Sequence, residues 1–300
     1  MLERETVGNV RAGSHGPSRI FRLGYVEAAY VSMAIQARER WTTLESESGA
    51  QLLHPTPQLT FGAGADAVFA ALESAGVAVG RISGAEVAEQ FPGFAGRGDA
   101  VLETTSAVIA ADQALKVLQA SAGAEVREHV RVESVDANHV ETTDGIIEAK
   151  AVVVCAGPWT RALVATVATT PTLEHAAYLR APGDLPIFID FAEPAVYGLP
   201  TPGSDLYKIA VHHGGPAIDP EGEFTPDPAA VAALERAIAY WLPDAELQSI
   251  DVCPYDNTTD ESFVVDRIDG VVVGAGTSGH AFKFGPLLGE QLAELALHAT

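Results

Sequence analysis

Only four lysines occur in the 300-residue chain: Lys116, Lys150, Lys208 and Lys283. Two of them sit where a charge needs a reason, Lys208 inside LYKIAVH and Lys283 inside HAFKF. An unpaired ammonium in an apolar stretch is costly, so such a lysine is a candidate for binding or electrostatic work. Lys208 and His212 stand four apart in a strand-like run, which points both side chains to one face. A solvent-facing polar edge would have the same spacing. Arg19 and Arg22 are three apart and would share a face on a helical turn, as would two surface arginines after a loop. Of the two cysteines, Cys155 within VVVCAG reads as a small buried residue. Cys253 in VCPY is either a second such residue or a reactive thiol, which would require an electropositive, partly open setting. Tyr197 and Tyr255 are either pocket tyrosines or ordinary buried ones with one hydrogen-bonded end.

Glycines add a further candidate. Gly274, Gly276 and Gly279 follow a Val run in the G-x-G-x-x-G spacing of a dinucleotide-binding loop. That fingerprint needs a helix and then a second strand ending in an acid about 20 residues on. After Gly279 the residues read as one helix, GPLLGEQLAELALHA, with no second strand. The fingerprint therefore fails on context, leaving a strand, a tight turn and a helix start whose free N–H groups face outward. MLERE, conversely, looks like the end of a strand that places Glu3 as a ribose-binding acid. The glycine loop expected before such an acid is absent, so the chain reads as beginning inside a dinucleotide-binding βαβ unit.

The elements that must position these residues alternate. Helical periodicity is expected over 27–47, 65–75, 112–122 and 228–241. Strand patterns cover 59–61, 126–137, 139–145, 151–157, 195–200, 206–212 and 271–276. The intermixing favours an α/β architecture. The Val-rich runs at 152–154 and 271–273 read as strands of a parallel sheet, buried on both faces. Residues 179–250, richer in Pro and alternating strands, read as a separate layer. A net charge of −22 argues against a nucleic-acid backbone as partner. No apolar run approaches the ~18 residues of a membrane helix, and no secretory signal is visible, so a cytoplasmic location is expected. The scattered histidines show no metal-ligand spacing, and His212 and His213 read as merely adjacent. No hydrolase elbow, zincin motif, C-x-x-C or phosphate loop is present.

Five stretches in order, AGSHGPSRIFR, FPGF, VVVCAGPW, VCPYDNTTDESFVVDR and GAGTSGHAFKFGPLLGE, together with LYKIAVHHG, resemble the monomeric sarcosine oxidase and N-methyltryptophan oxidase family. These are FAD-dependent amine oxidases of the D-amino-acid-oxidase-like fold. The resemblance spans nearly the whole chain, and its last two stretches are the specific ones. It implies that Arg19 and Arg22 lie at the flavin face, with Arg22 and Lys283 holding the substrate carboxylate. A guanidinium fork suits a carboxylate bidentately. It implies that Lys208 lies near flavin N5 and promotes reaction with O2, where a fixed cation stabilises superoxide. His212, Tyr197 and Tyr255 would line the pocket, and Cys253 would carry the flavin through a thioether. Lys283 would also place positive charge near flavin N1 and O2. Glu3, Gly157, Gly276 and Gly279 complete the expected cofactor contacts.

The expected whole is an α/β flavoprotein with an FAD-binding domain lacking its first βα unit. That domain would comprise 1–57, 106–178 and 251–300, roofed by a mixed-sheet substrate domain of 58–105 and 179–250. The expected activity is FAD-dependent oxidation of a secondary amine or N-methyl amino acid by a monomer, with O2 reduced to H2O2. The alternative is a non-catalytic remnant of the fold that cannot bind FAD. Without backbone donors from a phosphate loop, binding would weaken by ~1.5–3 kcal/mol for each lost charge-assisted bond.

Overall fold

In the computed structural model, which describes residues 1–94 and 98–298, the sheet that carries Lys208 has eight strands. Their spatial order is Glu246–Asn257, Thr170–Arg180, Leu206–Val211, Val196–Pro200, Ile187–Asp190, Gln58–Phe61, Ala100–Glu103 and Val79–Ile82. Every pairing in it is antiparallel except that of Ile187–Asp190 with Gln58–Phe61. Alternation along Leu206–Val211 divides the sheet's two faces. Tyr207, Ile209 and Val211 enter a core with Phe61, Phe94, Phe188 and Trp241, while Lys208 and His212 turn to the other side. The Phe188 and Trp241 rings lie 4.6 Å apart, and burying each such side chain is worth roughly 1.5–3 kcal/mol. The covering helix, Pro228–Trp241, starts where Asp227 accepts the Ala229 and Ala230 N–H groups at 3.0 and 2.9 Å.

A second body packs helix Ala28–Ser48 against helix Gly285–Leu297. The first buries Val31, Ala34, Ala37, Trp41 and Leu44, one stripe at three- and four-residue steps. It stops at Gly49, whose φ of 67° is the left-handed C-cap conformation. Small sheets complete this body. Ala107–Ala110 lies between Ser18–Phe21 and Leu53–Pro55, and Val153–Val154 runs parallel to Val271–Ala275, which also pairs with Val264–Ile268.

The architecture is mixed α/β as expected, with local corrections. Arg19 lies in the strand Ser18–Phe21, not on a helical turn, because that segment pairs with Ala107–Ala110. The 126–137 run keeps only Val132–Val135 as strand, and 139–145 is part of a hairpin of His139–Thr142 with Gly145–Glu148. The two Val runs do pair in parallel, yet Val153 is 45% exposed and Cys155 is exposed as well. Both residues face a cleft, which a run of apolar letters cannot reveal.

Candidate active site

Lys208 lies on the cleft side of the large sheet, opposite Tyr178 in one neighbouring strand and Leu199 in the other. Only 7% exposed, it donates to no group among the described residues, and its Nζ lies 5.9 Å from the centre of the Tyr178 ring. Burial, reinforced by the Arg19 charge, brings its pKa down from 10.5 to about 8. Arg19 is fixed nearby by backbone carbonyls, donating to Ser18 at 2.9 Å, Gly13 at 2.9 Å and His15 at 2.6 Å. Gly13 O also accepts from Cys253 Sγ at 3.5 Å, so arginine and thiol share one loop. Burial pushes the Cys253 thiol up, while Arg19 and Lys208 pull it down. Cys253 is half-buried and flanked by two cations, but burial outweighs their charge.

A second cationic pole forms where the turn Phe282–Phe284 leads into helix Gly285–Leu297. Trp41 donates its indole N–H to the Lys283 carbonyl at 2.7 Å, tying this turn to the long helix. Lys283 Nζ donates to Tyr25 Oη at 2.9 Å and to the His280 carbonyl at 2.8 Å. Burial, then the Arg22 charge, holds Lys283 well below the usual lysine range. The Arg22 guanidinium lies 3.9 Å from the Tyr25 ring centre, so Arg22 and Lys283 meet around one tyrosine. Tyr197 and Tyr255 face each other with hydroxyls 3.5 Å apart, and the His212 ring is 6.3 and 6.0 Å from theirs.

These side chains line one cleft of about 1910 Å³, well beyond the ~300–1,000 Å³ of an ordinary small-ligand pocket. The donor set suits an extended anionic cofactor. Arg19, Arg22, Lys208 and Lys283 line the cleft among acidic side chains, the buried Trp159 Nε1–H has no partner among the described residues, and Gly157 leaves open space where a Cβ would stand, at φ 52°. Gly276 and Gly279 are constrained by the protein itself. A Cβ on Gly279 would meet the Tyr255 ring at 2.0 Å, and one on Gly276 would meet Thr258 at 2.6 Å. Glu3 lines the far part of the cleft, and its carboxylate accepts the Glu5 N–H at 3.0 Å.

Sequence reasoning missed Tyr25 and the pair His15–Asp251, whose Nε2 and Oδ2 atoms lie 3.0 Å apart. No spacing could have joined residues 236 positions apart. Tyr25 carries a fainter signal, standing three residues from Arg22.

Comparison with known proteins agrees with this geometry. The family described as DAO, FAD dependent oxidoreductase, matches residues 1–295. Human peroxisomal sarcosine oxidase is 33% identical over 338 residues, covering 100% of this chain and 86% of the relative. Monomeric sarcosine oxidase of Bacillus sp. (strain B-0618) is 31% identical over 320 residues, covering 94% and 82%. Among solved structures, NikD, an unusual amino acid oxidase essential for nikkomycin biosynthesis, superposes with a TM-score of 0.87 at 22% identity, covering 100% of this chain and 87% of that one. Glycine oxidase from Geobacillus kaustophilus gives a TM-score of 0.82 at 21% identity, covering 99% and 87%. The fold, the two buried lysines of the cleft and the match along almost the whole chain converge: the chain belongs to the DAO family of FAD-dependent oxidoreductases and is similar to the sarcosine oxidases within it.

Proposed function

We propose that the chain oxidises a secondary amine or N-methyl amino acid of the sarcosine class, using FAD bound in the cleft. The observation that carries this reading is the division of buried cations into two poles. Arg22 and Lys283 meet around Tyr25, and Lys208 keeps its donors free beside Arg19 and Cys253. FAD supplies the two-electron chemistry, accepting a hydride equivalent from the amine carbon and passing the electrons to O2, which leaves as H2O2.

The chain's own residues bind and orient. Arg22 and Lys283 grip the substrate carboxylate, whose charge favours the protonated form of Lys283 and reverses the effect of burial. The same cations disfavour a protonated substrate amine, so the nitrogen is held neutral with its lone pair free as the carbon gives up hydride. Tyr197, Tyr255 and His212 wall the substrate and limit water until the imine is released to hydrolysis. Lys208 keeps a positive charge where O2 becomes anionic. Glu3, Gly157 and Gly279, which line the cleft, would border the cofactor, and Arg19 would help hold its ring system, while Gly276 would shape the turn behind them.

Cys253 would hold FAD through a thioether in this reading, its C–S bond replacing the thiol S–H and one C–H of the flavin methyl group, with the two electrons released going to the flavin ring and from it to O2. It does so as the thiolate fraction that Arg19 and Lys208 favour. Residues 1–57, 106–178 and 251–300 constitute the cofactor domain, and 58–105 with 179–250 the substrate domain, in a monomer.

Acid precipitation of the purified holoprotein tests the tether. Yellow colour stays with the pellet of the parent and leaves it in Cys253→Ser. Colour that washes free of the parent pellet rules out the thioether. A chain that neither purifies with FAD nor binds added FAD rules out the catalytic reading itself.

A further inference from the structure

The loop after strand Leu206–Val211 carries two histidines that the proposed amine oxidation does not employ together. His213 has φ 53° and Glu261, from the loop before Val264–Ile268, has φ 60°. Both are left-handed conformations that such side chains enter only against steric resistance. These two turns bring His213 Nε2 within 3.3 Å of Glu261 Oε1, and the His212 and His213 ring centres within 4.0 Å of each other. One ligand atom from each of His212, His213 and Glu261 lies within 4.8 Å of the other two. The Glu261 side of the cluster is anchored independently, because its carbonyl is 3.0 Å from His280 Nε2.

Two imidazoles and one carboxylate are the donor set of a borderline cation, with Zn²⁺ preferred over Ca²⁺ or Mg²⁺, which favour all-oxygen cages. Three protein ligands leave a fourth tetrahedral position for water or an anion. We propose that His212, His213 and Glu261 form a three-ligand Zn²⁺-class site in the wall of the cleft. The His213 ring lies 5.8 Å from that of Tyr255, so a cation held there stands beside the tyrosine pair. The sequence alone gives no metal-ligand spacing, because the two histidines are adjacent and the third ligand comes from a different loop.

The site shares His212 with the wall of the substrate pocket but does not rest on the amine-oxidase reading, and it is tested by binding. The full chain, free of added chelator, is titrated with ZnCl2 by calorimetry and with CoCl2 by visible absorption. The expected result is one tight equivalent per chain and a Co²⁺ spectrum without thiolate charge-transfer bands, which separates this site from Cys155 and Cys253. His213→Ala and Glu261→Gln, both substitutions of exposed residues, each weaken binding by at least about tenfold, as disrupting a metal's ligand environment does. The proposal is overturned if the parent takes up no zinc at micromolar concentration. It is equally overturned if both variants bind like the parent, or if the cobalt spectrum shows thiolate ligation that Cys155→Ser or Cys253→Ser removes.

Discussion

Lys283 and Lys208 are buried to nearly the same degree, yet their surroundings differ in kind. Lys283 gives two hydrogen bonds to neutral oxygens and is locked to the long helix through Trp41. Lys208 has no acceptor among the described residues and faces Arg19, Asp251 and Cys253 at longer range. A lysine supplied with neutral acceptors is held in place whether or not a ligand is present. One left without them retains its full donor capacity for something that arrives. The contrast supports the proposed division of labour, with recognition at the Lys283 pole and electrostatic stabilisation at the Lys208 pole.

The comparison breaks most visibly at Lys208. Lys208→Met is expected to slow reoxidation of the reduced holoprotein by O2 about 100- to 1000-fold, the scale on which one preorganised electrostatic group acts. Reduction by substrate should change far less. Stopped-flow absorbance reads both half-reactions, and equal slowing of the two would merge the poles into one.

The same residue gives a pH signature. Its folded pKa is about 8 against 10.5 for the ordinary side chain, so between those values the unfolded chain binds more protons than the folded one. Folding stability contributed by this residue therefore rises as pH increases from about 8 to 10.5, by on the order of 3 kcal/mol in full. Denaturant titrations of the parent and Lys208→Met across that window should diverge accordingly. Reoxidation should move the opposite way, falling as the cation is lost above pH of about 8.

Lys283→Met sharpens the other side. It should raise KM for an N-methyl amino acid about 10- to 100-fold, the equivalent of one charge-assisted hydrogen bond, while leaving reoxidation by O2 nearly intact. A KM for a decarboxylated amine that does not respond to the substitution would tie the effect to the carboxylate.

A smaller contrast separates two glycines. Gly279→Ala drives a Cβ into the Tyr255 ring at positive φ and should cost roughly 1–3 kcal/mol of stability. Gly157→Ala meets open space and should cost only about 1 kcal/mol, the backbone term, while weakening FAD binding. Thermal unfolding with and without FAD distinguishes a glycine constrained by packing from one with open space beside it.

Much of this arrangement is legible in the residues. Scarcity marks Lys208 and Lys283, and period-two alternation places Lys208 and His212 opposite Tyr207, Ile209 and Val211. The parallel pairing of the Val runs follows from their composition, but the exposure of Val153 depends on what stands across the cleft. Contacts between segments far apart in the chain, His15 with Asp251 and His213 with Glu261, leave no trace in spacing because the fold alone joins them. Tyr25 shows the same limit at short range, since its proximity to Arg22 is visible while its bond to Lys283 is not.

The central claim is that this cleft couples amine oxidation on FAD to O2. Its most direct measurement is anaerobic mixing of the FAD-loaded chain with sarcosine and with larger N-methyl amino acids. The account predicts that at least one bleaches the flavin's visible absorbance and that admitting O2 restores it with one equivalent of H2O2. A flavin that is firmly bound yet stays oxidised with every secondary amine would contradict it.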